Sequence, residues 1–131
     1  MITILVDHNI EGQAALLWST FATEGWLALT EFQLVTFTDV GRPFNSSDRA
    51  VWSFVQANKL LLLTGNRNME GSESLEQTIR EQNHVTSLPI ITVGNIDRLV
   101  EYDYRQRCAT RLADIGLYLK DYIGAGRLFI P

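Results

Sequence analysis

Hydrophobic residues in this chain fall into short unbroken runs separated by stretches with helical spacing. Ile2 to Val6 is continuous, apolar and rich in β-branched residues, and it stops at Asp7-His8-Asn9. Such a run fits a strand buried on both faces, as in a parallel sheet. A helix is expected from about Ile10 to Glu24, with Ala14, Leu17, Trp18, Phe21 and Ala22 on its apolar face and Gly25 as C-cap. Leu27-Ala28-Leu29 fits helix or strand, and Leu34 to Phe37 reads as a second strand.

Asp39 to Ser47 has loop composition. Ser46 or Ser47 is placed to cap a helix beginning near Asp48, whose apolar face carries Ala50, Val51, Phe54 and Val55. Leu60 to Thr64 is the third strand. Ser74 with Gln77 has the spacing of a capping box for a short helix through Arg80 or Glu81. Pro89 to Val93 is a fourth strand, with proline tolerated at its start.

The longest helix is expected from Asn95 to about Tyr122. Ile96, Leu99, Val100, Cys108, Leu112, Ile115 and Leu119 form its stripe, and Glu101–Arg105 and Asp103–Arg107 are i,i+4 pairs on its outer side. Gly124-Ala125-Gly126 ends it, and Arg127 to Ile130 can add an edge strand. Strands alternating with helices predict one α/β domain over residues 1–131, a three-layer α/β/α arrangement around a mainly parallel sheet.

Composition narrows the function classes. The 131 residues are 46% hydrophobic and include three tryptophans, enough for a real core. A net charge of -4 argues against a binder that relies on a basic patch. It leaves room for metal-dependent chemistry, because acidic clusters lower the net charge. The lone Cys108 excludes an internal disulfide and a cysteine zinc site, and its helical context predicts a buried, inert thiol. No apolar run approaches the roughly 18–20 residues of a membrane span, and the N-terminus lacks a signal-peptide pattern. A cytoplasmic protein is therefore expected.

Ligands of such sheets bind beyond the carboxyl ends of the strands. The polar strand ends here are Asp7-His8-Asn9, Thr64-Gly65-Asn66-Arg67-Asn68 and Gly94-Asn95-Ile96-Asp97; Asp48 can face the same edge. Carboxylates gathered there need a cation, and hard oxygen donors select Mg²⁺ or Mn²⁺. No dinucleotide fingerprint or phosphate-binding loop signature is present. A response-regulator reading fails on position, because its phosphoacceptor should end a strand whereas Asp48 opens a helix.

Three motifs occur in order: Leu5-Val6-Asp7-His8-Asn9, then Gly41 with Ser47-Asp48, then Leu60 to Asn68. Together they resemble the PIN-like domains, and within them a small prokaryotic branch. That branch opens on a strand ending Asp-x-Asn, has Gly…Ser/Ala-Asp before a helix, and has a later strand ending Thr-x-Asp-x-Asp. The resemblance covers residues 1 to about 70. It implies a Mg²⁺- or Mn²⁺-dependent ribonuclease, related to toxins of toxin–antitoxin pairs, that forms a homodimer and meets RNA and an antitoxin-like protein. Carried over by position, Asp7 and Asp48 are the catalytic and metal-holding acids. Asn9, Asn66 and Asn68 fall on motif positions as auxiliary or substrate-contacting residues; outside the motifs, Arg67 could meet a phosphate and the nearby acids Glu70, Glu73 and Asp97 could compensate for lost charge, with Asn66 and Asp97 as further metal donors.

The chain departs from the pattern at Asn66 and Asn68, where the branch carries Asp. Two lost charges weaken a hard-cation site. Hence the alternative of a degenerate domain that binds RNA or protein without cleaving it.

Plainer roles compete at each position. Asp7 and Asn9 can cap the first helix, and Asp48 suits a helix's first turn. Asn66 and Asn68 are ordinary turn formers beside Gly65. Arg67 as a lone loop arginine is expected to be solvated. His8 reads as a surface or packing side chain, and His84 carries no signal. The tryptophans read as core rather than as a base-stacking platform.

Overall fold

The computed structural model describes residues 1–66, 71 and 73–131. In it, β1 (Ile2–Val6) leads through a 3-10 turn (His8–Ile10) into α1 (Glu11–Thr23) and α2 (Trp26–Thr30). β2 (Phe32–Val35), α3 (Asp48–Ala57), β3 (Leu61–Thr64), α4 (Leu75–Gln82) and β4 (Ile90–Val93) follow. A 3-10 segment (Ile96–Val100), α5 (Tyr102–Leu117), a second short 3-10 turn (Leu119–Asp121) and β5 (Arg127–Ile130) complete the chain. The five strands form one sheet in the order β2-β1-β3-β4-β5, and every neighbouring pair is parallel.

The continuous apolar runs are explained by two-sided burial. Ile4, Val6, Leu61, Leu63, Ile91 and Val93 point into a core shared with α1 and α5. Leu5, Leu62 and Ile90 point the other way, against α3 and α4. The result is the expected three-layer α/β/α domain, and burying each such side chain contributes about 1.5–3 kcal/mol.

The crossovers are not all of one hand. From β1 to β2 the chain moves towards one edge, with α1 on the first face. From β2 to β3 and β3 to β4 it moves towards the opposite edge, with α3 and α4 on the second face, which is the same hand. From β4 to β5 it continues towards that edge, but α5 lies on the first face. This last crossover therefore has the opposite hand. Right-handed crossovers dominate parallel sheets, so it is the exception. What compensates is burial: Tyr104, Cys108, Leu112 and Ile115 of α5 complete the core that α1 leaves half covered.

Several expectations are corrected locally. β2 begins and ends two residues early, because Thr36 and Asp39 exchange bonds (Thr36 N–H to Asp39 Oδ2, 2.8 Å; Asp39 N–H to Thr36 Oγ1, 3.2 Å) and close a turn. The ambiguous segment after Gly25 is helical, bounded by left-handed Gly25 and Glu31. Ala22, expected inside, is exposed, and Thr20 takes the buried place.

The long helix after β4 is broken. Glu101 is extended, separating the 3-10 segment from α5. Its carboxylate pairs with Arg98 (3.1 Å), not with Arg105. Arg105 turns inward, donating to the Leu99 and Val100 carbonyls (2.9 and 3.0 Å) and to Thr20 Oγ1 (2.9 Å). One guanidinium thus satisfies carbonyls that the break would leave bare. Among the described residues, no helix is long and apolar enough to cross a membrane.

Candidate functional site

The strand order reverses at β1, so the chain leaves β1 and β3 on opposite faces. The crevice beyond their carboxyl ends is where this architecture places a ligand. Register aligns Val6 with Leu63, and the Asp7 N–H donates to the Leu63 carbonyl (2.9 Å). Asp7 and Thr64 therefore leave the sheet side by side. A cavity of about 400 Å³ opens there, lined by Asp7, Asn9, Asp48, Thr64 and Asn66, with Phe37, Phe44 and Ser46 in its wall.

A chain of hydrogen bonds joins the polar residues. Thr64 donates its hydroxyl to Asp7 Oδ2 (2.6 Å) and accepts from the Asn66 N–H (2.9 Å). Asn66 donates through Nδ2 to Asp48 Oδ2 (2.9 Å). The Leu75 N–H, in the first turn of α4, donates to the same oxygen (3.1 Å). Asp48 itself opens α3, whose first turn Ser47 caps by accepting from the Ala50 N–H (3.1 Å). Two helix N-termini thus favour negative charge at Asp48.

Asp7 also caps the following 3-10 turn, its Oδ1 accepting from the Asn9 N–H (3.2 Å). The capping role and the cavity-facing role coexist. Between Thr64 and Asn66 the backbone passes close beneath Ile96: a Cβ on Gly65 would lie 2.6 Å from Ile96 Cγ2. Glycine is needed here for space.

One anchor of the turn comes from the far edge strand. Arg127 donates to the Asn66 carbonyl (2.8 Å) and to Thr92 Oγ1 (2.7 Å), and it pairs with Glu76 (3.2 Å). Its side chain is only 10% exposed. Sequence reading treats Arg127 as the first residue of an edge strand. The overlooked signal is a cation opening the otherwise apolar run Leu128-Phe129-Ile130. Thr64 is also missed as an active participant, although it ends a buried strand beside the acids.

The remaining candidates separate. Glu73 is exposed and pairs with Arg49 (3.5 Å). Asp97 is exposed in the 3-10 segment after β4, where Asn95 caps it, and it does not line the cavity. Arg67, Asn68 and Glu70 lie outside the described residues. Among the described residues no three His, Cys, Asp or Glu side chains gather as a metal cluster. His8 stacks on Phe44 (3.7 Å between centroids, 8° between planes) and pairs with Glu11 (3.2 Å), a packing role as expected. Cys108 is fully buried, and burial pushes its thiol up to about 12, so it is inert at neutral pH.

The donor set limits what a metal would find. A carboxylate accepts only, so the Asn66 group facing Asp48 is the amide nitrogen rather than the oxygen. Asn66 thus acts on Asp48 as a hydrogen-bond donor through Nδ2, so its expected role as an oxygen ligand would fall to Oδ1. Each of Asp7 and Asp48 has about four lone-pair sites, and their hydrogen bonds occupy part of that capacity. Two carboxylates on one cavity suit a Mg²⁺ or Mn²⁺ ion that keeps several waters. Comparison of the chain with family profiles, curated protein sequences and solved structures returns no match.

Proposed function

We propose that this chain is a PIN-like phosphodiesterase domain that acts on RNA with one Mg²⁺ or Mn²⁺ ion. The observation that carries the reading is the convergence of Asp7 and Asp48 on one cavity at the β1/β3 crevice. Asp7 and Asp48 would hold the ion, and their two charges balance its own. Bound there, a divalent cation supplies Lewis-acid stabilisation of a phosphate and a water of lowered pKa.

The chain's own residues set up that arrangement. Thr64 fixes the Asp7 carboxylate from one side, and the Asn9 N–H fixes it from the other. Asn66 and the Leu75 N–H hold Asp48. Arg127 clamps the turn that carries Asn66. Such supporting bonds keep a site in one geometry without moving at the time of reaction. The resemblance to toxin-type relatives extends this reading to a cytoplasmic homodimer with an antitoxin-like partner.

The test is cleavage of single-stranded RNA in Mn²⁺ and in Mg²⁺. Wild type should cut, chelator should stop it, and Asp7→Asn should reduce the rate at least 100-fold. Equal cleavage by Asp7→Asn would remove the assignment.

One observation favours a second reading. The Asn66 amide already occupies part of the accepting capacity of Asp48 and stabilises its carboxylate without a cation. On that reading the site binds RNA or protein without cutting it. Mn²⁺ calorimetry separates the two, since the binding module shows no heat that depends on Asp7 and Asp48.

A further inference from the structure

Phe44 stands out among the cavity walls. It lines the same cavity as Asp7 and Asp48, yet it is 58% exposed. An exposed phenyl ring on a floppy loop would mean little, but this ring is held. His8 stacks flat on one of its faces, and Glu11 holds His8 in turn. Pro43 restricts the backbone immediately before it. The turn closes through the Ser46 N–H and hydroxyl, both donating to the Pro43 carbonyl (3.2 and 2.7 Å). Arg42 Nε donates to Ser46 Oγ (3.1 Å), and its guanidinium lies over Phe54. The Arg42 N–H bonds the Phe37 carbonyl (2.8 Å), tying the loop to the turn that follows β2.

A ring that is rigid, backed on one face and open beside a polar cavity fits a stacking surface for a flat ligand group. We infer that Phe44, backed by His8, is a platform on which one unpaired nucleobase stacks while the adjoining phosphate meets the Asp7–Asp48 cavity. The inference rests on the cation-dependent reading of that cavity, because two carboxylates alone repel a phosphate. It adds a determinant that the acids cannot provide. A paired base has both faces covered and cannot reach the ring, so the platform selects single strands. Every base offers a π-face, so selection among bases is weak. Phe37, buried behind His8 at 6.4 Å between centroids, supports the platform without presenting a face.

The test uses a fluorescein-labelled 12-nucleotide RNA in Mn²⁺, read by anisotropy for binding and by gel for cleavage. The proteins are wild type, Phe44→Ala and Phe44→Tyr. Phe44→Ala should weaken binding roughly 5- to 100-fold, and Phe44→Tyr should restore it. A series of RNAs, each with one abasic nucleotide, supplies the readout that a structural role would not move. One abasic position should reproduce the Phe44→Ala loss in wild type and add nothing in Phe44→Ala. Equal binding by wild type and Phe44→Ala, or multiplying losses at every abasic position, overturns the platform. Cleavage that ignores Phe44 removes the platform and leaves the nuclease reading standing. Binding that depends on Phe44 without cleavage keeps the platform and removes the nuclease. RNA that neither binds nor is cut overturns both. Because Phe44 is exposed, the melting temperature of Phe44→Ala should stay within a few degrees of wild type.

Discussion

Replacing Asn66 by Asp exchanges a donor for a charge at the centre of the site. The amide nitrogen lies 2.9 Å from Asp48 Oδ2. Asn66→Asp loses that charge-assisted bond, a contribution of about 1.5–3 kcal/mol. It also sets two carboxylates against each other. Two unit charges about 4 Å apart repel by about 4 kcal/mol at an effective dielectric of about 20. Partial solvent access lowers that to about 1–2 kcal/mol, because exposed charges are screened.

The expected cost without metal is therefore about 2.5–5 kcal/mol, read by urea denaturation in chelator. A divalent cation should reverse part of it. The variant gathers three acids where wild type has two, so Mn²⁺ affinity should rise at least tenfold. Mn²⁺ at about 100 times the variant's Kd would return about 2.7 kcal/mol to it, against about 1.4 kcal/mol to a wild type that binds tenfold more weakly. The informative result is thus a gap between variant and wild type that narrows by about 1.3 kcal/mol on going from chelator to Mn²⁺. A loss below about 0.5 kcal/mol in chelator would show that Asn66 and Asp48 do not interact as described, and an unchanged gap in Mn²⁺ and Mg²⁺ would show that the site holds no cation.

Further outcomes follow from the packing. Arg127→Met strips the donor from Asn66, Thr92 and Glu76 at once; it should cost about 2–4 kcal/mol in urea and raise amide exchange at residues 64–66. Gly116 packs against Phe32, where a Cβ would lie 2.2 Å from Cζ, so Gly116→Ala should cost about 1–3 kcal/mol by thermal denaturation. Cys108 should ignore a disulfide reagent at pH 8 in the native protein and react once the chain is unfolded. The same thiol predicts an alkaline trend. Between its ordinary value of 9.0 and about 12, the unfolded chain ionises it and the folded chain does not. Stability should be unaffected by this group below pH 9 and fall above it, by about 1.4 kcal/mol per pH unit. Cys108→Ala should remove that share of the decline.

How much was legible in the sequence differs between fold and site. β1 was readable to the residue, because a strand buried on both faces leaves an unbroken apolar run. The start of α3 was legible to within a residue, since Ser46 or Ser47 was placed to cap it and Ser47 is the cap. The break at Glu101 was not legible. Its apolar stripe continues through the interruption at helical spacing, and only the inward turn of Arg105 makes the break tolerable. The hand of the last crossover was equally hidden, because a stripe says that a helix is buried but not on which face of the sheet.

At the site, the acids Asp7 and Asp48 were legible as strand-end and helix-start residues, and both line one cavity. Asp97 was placed with them by the same logic, but the 3-10 turn after β4 sends it outward. Arg127 left only the trace of a cation opening an apolar run, and Phe44 was silent. One reaches the site from the most distant strand, and the other sits in a loop whose shape depends on Arg42, Pro43 and Ser46.

The central claim is that Asp7 and Asp48 act together on one divalent ion. Mn²⁺ titration by calorimetry on wild type, Asp7→Asn, Asp48→Asn and the double variant tests it most directly. The account predicts one site in wild type, a loss of at least tenfold in each single variant, and a double variant no worse than the weaker single. Undiminished binding in either single variant, or no binding by wild type, would contradict it.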